Sequence, residues 1–234
     1  MIVGAIILLV LGAGSLTLFL IRKLKGYSVE GTIIKAFTSL LFISLAVYSA
    51  FNSGHHILSL FAIIALAFGL TGDIWLELKY VFREHDKLLT YAGFASFLIG
   101  HVLYICGFYL EFFSDRNPLY IILPLVVGAL MGGVVLLMEK PLKLNYGNMK
   151  TIVGVYGSLL FMMAFSAISL TIMTRFQNIS LVMIAVGGIL FAVSDLILCG
   201  TYFGEGKDKP FDLVSNAVTY YGAQFIIAFA LFFL

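Results

Sequence analysis

The chain has 234 residues, of which 62% are apolar, 15% aromatic and 11% charged, with a mean hydropathy of +1.08. Fourteen Lys/Arg and twelve Asp/Glu cannot coat a water-facing surface of this size, where about a quarter of residues are ordinarily charged, so a soluble globular domain is excluded. The formal net charge of +2 leaves no basic face for nucleic acid, and Cys106 and Cys199 sit in apolar runs without ligand spacing, which excludes a disulfide framework, a zinc knuckle and a redox pair.

A membrane-crossing helix needs about 20 predominantly apolar residues. Eight such runs follow one another, at 2–21, 33–51, 57–78, 88–110, 118–138, 151–173, 180–203 and 213–234. They predict an all-α polytopic membrane bundle forming a single integral membrane domain over 1–234. The first run has no basic segment before it and no small-residue cleavage site after it, so it reads as a retained helix rather than a signal peptide. A basic loop with Arg22, Lys23 and Lys25 follows, and the second run carries Lys35 and Ser39. The third run holds Gly69, Asp73 and Glu77, after a loop with His55 and His56 and before one with Lys79, Arg83, His85 and Lys87. His101 and Tyr104 share a face of the fourth run, and Gly128, Gly132 and Gly133 lie in the fifth together with Pro124, the one proline in the interior of a span rather than at its edge. Beyond Lys140, Lys143 and Lys150 come the sixth run and then the seventh, with Gly187, Gly188 and Asp195. Lys207 and Lys209 precede the eighth, where Tyr220 and Gln224 share a face beside Tyr221. The odd loops hold eleven Lys/Arg and the even ones two, Arg116 and Arg175. Basic loops resist translocation, so the odd loops are expected to be cytosolic and both termini on the opposite side.

The halves of the chain resemble each other. Asp73 and Asp195 occupy similar contexts at an offset of 122, and Ser39-Leu-Leu-Phe parallels Ser158-Leu-Leu-Phe at 119. Two readings stand: chance likeness among apolar helices, or a parallel repeat of 1–115 and 116–234 with its pseudo-twofold axis along the membrane normal. On the second, the two aspartates would face each other in one buried chamber.

An ionisable group in hydrocarbon costs about 2.5 to 3.5 kcal/mol on insertion scales, so each one needs a partner or a purpose. From their positions near the cytosolic ends of spans three and seven, the two aspartates lie roughly 7 to 12 Å deep at 1.5 Å per residue. One reading is a polar cavity open to the cytosolic leaflet with two carboxylates at its centre. The other is a structural ion pair, such as Lys35 with Asp73, that pins helices together. Lys35 also has a stem long enough to snorkel, Glu77 near the boundary reads as a solvated acid, and His101, Tyr220, Tyr221 and Gln224 also suit interhelical hydrogen bonding. The glycines read as close-packing positions. Only His101 of the four histidines lies within a span, which argues against a three-histidine zinc site. No Gly-x-Ser-x-Gly elbow is present. No cofactor or metal is expected, and paired acids remain the best-supported chemical set.

Four patterns in order, Gly72-Asp73-Ile-Trp-Leu, Phe97-x-x-Gly100-His101-x-x-Tyr104, Gly188-x-x-Phe191-x-x-Ser194-Asp195 and Tyr220-Tyr221-Gly-Ala-Gln224, resemble the YhhN-like lysoplasmalogenase family. The resemblance covers nearly the whole chain and implies eight spans and hydrolysis of the vinyl ether bond of lysoplasmalogens to a fatty aldehyde and a glycerophospho-base. It maps the family's two aspartates onto Asp73 and Asp195. One departure is visible, because Ala36 follows Lys35 where the family commonly has proline.

Vinyl ether hydrolysis begins with protonation of the alkene β-carbon, and water captures the resulting oxocarbenium ion. One carboxyl must be held protonated and another ionised, an asymmetry that low dielectric and mutual repulsion create in a close acid pair. On this reading Lys35, Glu77, His101, Tyr104, Tyr220, Tyr221 and Gln224 would line the site for a lysophospholipid in the bilayer, its phosphate near Lys35 or a loop cation. The membrane would be the cytoplasmic membrane of a bacterium or the endoplasmic reticulum of a eukaryote. A proton-coupled transporter, or a hydrolase of lipid esters or amides, is the rival function. Oligomeric state is not legible.

Overall fold

The computed structural model describes residues 2–54, 56–112, 117–204 and 209–234. His55, Arg116 and Lys207, named above as loop residues, lie outside them. The described residues form eight long helices: α1 (Ile2–Leu24), α2 (Val29–Ser53), α3 (Ile57–Leu78), α4 (Asp86–Phe112), α5 (Leu119–Leu137), α6 (Lys150–Met173), α7 (Ile179–Phe203) and α8 (Pro210–Ala230). All eight are long and apolar enough to cross a membrane, because backbone polar groups in hydrocarbon must be satisfied within the segment. The chain is a multi-pass membrane protein.

Several helices run past the apolar stretches that announce them, because their ends are set by caps. Ser28 starts α2 before Lys35, accepting from the Gly31 N–H at 3.0 Å. Asn178 caps α7 in the same way, accepting from the Leu181 N–H at 3.1 Å. These side-chain oxygens satisfy donors that the first turn leaves open. Pro210 opens α8, where its fixed φ is compatible and its missing N–H costs nothing.

The helices fall into two compact units, Met1–Gly107 with Ala228–Leu234, and Phe108–Ile227. In the first, Phe19, Phe42, Leu45, Leu58 and Leu66 are fully buried, and Ser15 and Thr38 share a hydrogen bond of 2.7 Å between α1 and α2. The loops after α1 and α3 meet at one end, where Tyr27 stacks on Tyr80 with ring centroids 3.8 Å apart.

In the second unit α5 and α6 approach each other closely. A Cβ on Gly128 would lie 2.5 Å from the Met162 backbone nitrogen, so only glycine permits that approach. Gly133, expected to be a close-packing position, instead has nothing within 4 Å of where its Cβ would be, because it lies off the face that α5 turns to α6. The loop after α5 meets the end of α7 through the Asn145 N–H, which donates to the Phe203 carbonyl at 2.8 Å, and the Tyr146 ring set edge-on to Phe203.

Candidate functional site

Each unit carries a carboxylate on its third long helix. In the first unit Asp73 and Glu77 lie one turn apart on α3, both 2% exposed. Lys35 of α2 places its Nζ 3.3 Å from Asp73 Oδ1 and 3.5 Å from Glu77 Oε2. Ala36 therefore does not turn Lys35 away, and its ammonium reaches inward rather than snorkelling to the interface. Ser39, one turn further along α2, donates to Asp73 Oδ2 at 2.7 Å and to the Lys35 carbonyl at 3.2 Å. A second ammonium comes from α1, where Lys23 donates to Glu77 Oε2 at 3.0 Å. The Phe19 ring lies 5.2 Å from Lys23 Nζ and 5.9 Å from Lys35 Nζ. Two ammoniums and two carboxylates sum to zero formal charge, the condition under which a buried ionic group is tolerable.

Two expectations change here. Glu77 is a buried, doubly paired acid rather than a solvated one, because α1 ends beside it and supplies Lys23. Lys23 itself, counted among the loop cations, belongs to the last turn of α1 and turns toward the carboxylates. His101 and Tyr104 are 1% and 2% exposed and lie within the first unit, one turn apart on α4.

In the second unit Asp195 of α7 is half-buried, and the Tyr156 hydroxyl of α6 donates to its Oδ2 at 2.5 Å. The α8 residue Asn216 donates to the Ser194 carbonyl at 2.8 Å and to Ser194 Oγ at 3.2 Å, fastening α8 to the turn that carries Asp195. Tyr220 is buried edge-on against Phe191 at 5.5 Å and against Tyr221 at 5.0 Å. Gln224 is 1% exposed, and its Oε1 has no hydrogen-bond partner among the described residues.

In both units the second helix gives a hydroxyl donor to the aspartate on the third, Ser39 to Asp73 and Tyr156 to Asp195. Ser158, the sequence counterpart of Ser39, instead donates to the Gly154 carbonyl at 2.9 Å. At the α6 positions matching Lys35 by either offset stand Gly154 and Gly157, so α6 supplies no ammonium where α2 supplies one. Tyr156, Asn216, Ser39 and Lys23 are the contact residues that the sequence did not single out for a site. Ser39 at least stood in the repeated Ser-Leu-Leu-Phe motif.

No curated protein and no solved structure matches the chain. Residues 31–231 match the YhhN family, a segment that includes both aspartates and, Phe19 and Lys23 aside, every side chain placed around the acids above, and the chain belongs to that family.

Proposed function

We propose that the protein hydrolyses the vinyl ether bond of lysoplasmalogens, with Asp73 and Asp195 as its two catalytic carboxylates. Family membership supports a hydrolase, and the YhhN family is known for lysoplasmalogenase activity. The observation that carries the reading is the difference between the two acids' surroundings. Lys35 Nζ lies 3.3 Å from Asp73 Oδ1, whereas from α6 the Tyr156 hydroxyl donates to Asp195.

On this reading the two acids take different roles. Asp195 carries the proton to the alkene β-carbon, and the electron pair of the double bond forms the new C–H bond and leaves an oxocarbenium ion. Asp73 stays ionised, opposes that positive charge and takes a proton from the attacking water. The hemiacetal then loses its hydroxyl proton as the C–O bond to glycerol breaks and the leaving oxygen is protonated. One water is consumed, and aldehyde and alcohol are released. Lys35, Glu77, His101, Tyr104, Tyr220, Tyr221 and Gln224 are proposed to bind or shape the substrate around these acids.

The test is aldehyde release by purified protein in detergent, given vinyl ether, alkyl ether and acyl lysolipids. Aldehyde is expected only from the first, and only with both aspartates present. A purely structural role for the Lys35–Asp73 pair predicts instead that the folded fraction of Asp73→Asn keeps its full turnover. Full activity in purified Asp195→Asn would end the proposal.

A further inference from the structure

In the second unit α8 presents Asn216, Tyr220, Ala223 and Ile227 on one face, spaced at i, i+4, i+7 and i+11, and that face packs on α7. Near the middle of α7 a Cβ on Gly187 would lie 3.2 Å from the Ala223 carbonyl oxygen and 2.6 Å from Ile227 Cγ1, so the two helices approach closely there. About one turn on, the Phe191 ring meets Tyr220 edge-on with centroids 5.5 Å apart. A further turn along, Asn216 Nδ2 donates to the Ser194 carbonyl at 2.8 Å and to Ser194 Oγ at 3.2 Å. The residue after Ser194 is Asp195.

The apolar contacts of this seam are non-directional. They oppose separation of the helices but hold the rotation and sliding of α7 only weakly. The amide of Asn216 is directional. Ser194 lies within α7, and its carbonyl oxygen has a second lone pair besides the one that serves the helix ladder. Bonding the backbone and the side chain of one residue fixes both the height and the rotation of that turn, and Ser194 is 0% exposed, so water does not take the place of the amide. The turn carrying Asp195 is thus held by α8 through its backbone, while α6 holds the carboxyl itself through the Tyr156 hydroxyl at 2.5 Å. We propose that Asn216 is a positioning residue for the hydrolysis, fixing the turn of α7 from which Asp195 delivers its proton. It acts through Ser194 and transfers no proton itself. The catalytic role rests on the proposed function above; the contact does not.

The test uses the full chain in detergent with Asn216→Ala and the near-isosteric Asn216→Leu, which separate loss of volume from loss of the donor, so that one folded variant suffices. Because misplacing a reacting group by 1 Å costs up to about 10² in rate, kcat for aldehyde release per folded molecule is expected to fall about ten- to hundredfold, with KM little changed. A reporter that needs no turnover is 3-fluorotyrosine placed at Tyr156. Its fluorine resonance in either variant should move toward the position it takes in Asp195→Ala, where the acceptor is gone. A merely structural Asn216 predicts only a lower melting temperature, with kcat and the resonance of the folded protein unchanged. Full kcat in a folded variant, an unmoved resonance, or a raised KM at unchanged kcat, which would make Asn216 a ligand contact, each overturns the inference. If the unaltered protein releases no aldehyde yet the resonance moves, the enzymatic proposal falls and Asn216 remains the residue that holds Asp195. Aldehyde release with full kcat in the variants and an unmoved resonance does the reverse.

Discussion

Each aspartate accepts a hydrogen bond from one hydroxyl on a neighbouring helix, Ser39 for Asp73 and Tyr156 for Asp195, and the two hydroxyls can be removed one at a time. Tyr156→Phe deletes the hydroxyl that donates to Asp195 and keeps the ring. A hydrogen bond to a charged or reacting carboxyl is worth about 1.5 to 3 kcal/mol, so turnover is expected to fall roughly ten- to hundredfold with melting temperature little changed. Equal turnover in the two proteins would remove Tyr156 from the mechanism. Asp73→Asn and Asp195→Asn should each cost more, about 10² to 10⁴ in kcat, while both variants still insert and fold. The four charges of the first unit allow a separate test. Lys35→Met leaves one ammonium against two carboxylates, and breaking a buried pair by removing one partner is strongly destabilising, so the melting temperature should drop. Lys35→Met with Glu77→Gln restores formal neutrality and should recover part of that loss; a further drop instead would show that charge balance does not govern the cluster. The aspartates stood out in the sequence because an acid in a long apolar run needs a partner or a purpose, and the Lys35–Asp73 ion pair weighed there is present. Tyr156 was not, being one of twelve tyrosines in a chain with twenty-two phenylalanines. Lys23 was misplaced because a cation at the edge of an apolar run looks the same whether it turns outward or inward.

At the scale of helices, packing is decided by a few positions without side chains. At Gly128 an added methyl would meet the Met162 backbone nitrogen at 2.5 Å, and backbone cannot swing aside as a side-chain tip can. Gly128→Ala is therefore expected to destabilise by about 1 to 3 kcal/mol, the range for overpacked interiors, seen as a lower thermal midpoint in detergent. A midpoint equal to that of the unaltered protein would mean that α5 and α6 separate at no cost. The turn between these helices has a titration of its own. Glu139 accepts from Lys150 Nζ at 2.5 Å and from the Tyr146 N–H at 3.1 Å. These bonds, the lysine's first, hold its carboxyl below the ordinary glutamate range. A depressed carboxyl stabilises the fold fully above its unfolded value and loses that contribution as pH falls through the folded one. Glu139→Gln should accordingly lower the melting temperature at neutral pH and flatten its decline toward acid; an acid limb of unchanged slope would contradict this. The helices themselves were readable because length and hydropathy are what a bilayer demands of a crossing segment. Their extra turns were not, since Ser28 and Pro210 are polar or breaking residues that a hydropathy count sets aside.

For the molecule as a whole, the distribution of basic residues predicts its orientation. With native cysteines replaced by serine, Lys25→Cys is expected to react with an impermeant maleimide from the cytosolic side and Ser53→Cys from the other. Labelling of both from one face would reverse or void the topology. The proposed correspondence of the two halves has a counterpart in how each unit is wired, a hydroxyl from the second helix to the acid on the third. Sequence placed the two acids in matching contexts but paired Ser158 with Ser39, whereas Tyr156, two residues earlier, makes the contact; an apolar helix offers too few distinctive letters to fix its register within a turn. The first helix also has a practical bearing. Lys23 lies ahead of residue 31, where the family segment starts, yet it is bound to Glu77. A shortened chain starting at α2, attractive for easier expression, would leave Lys35 alone to balance Asp73 and Glu77 amid packed helices, and its failure to turn over lipid would be a defect of the truncation that says nothing against the proposed chemistry.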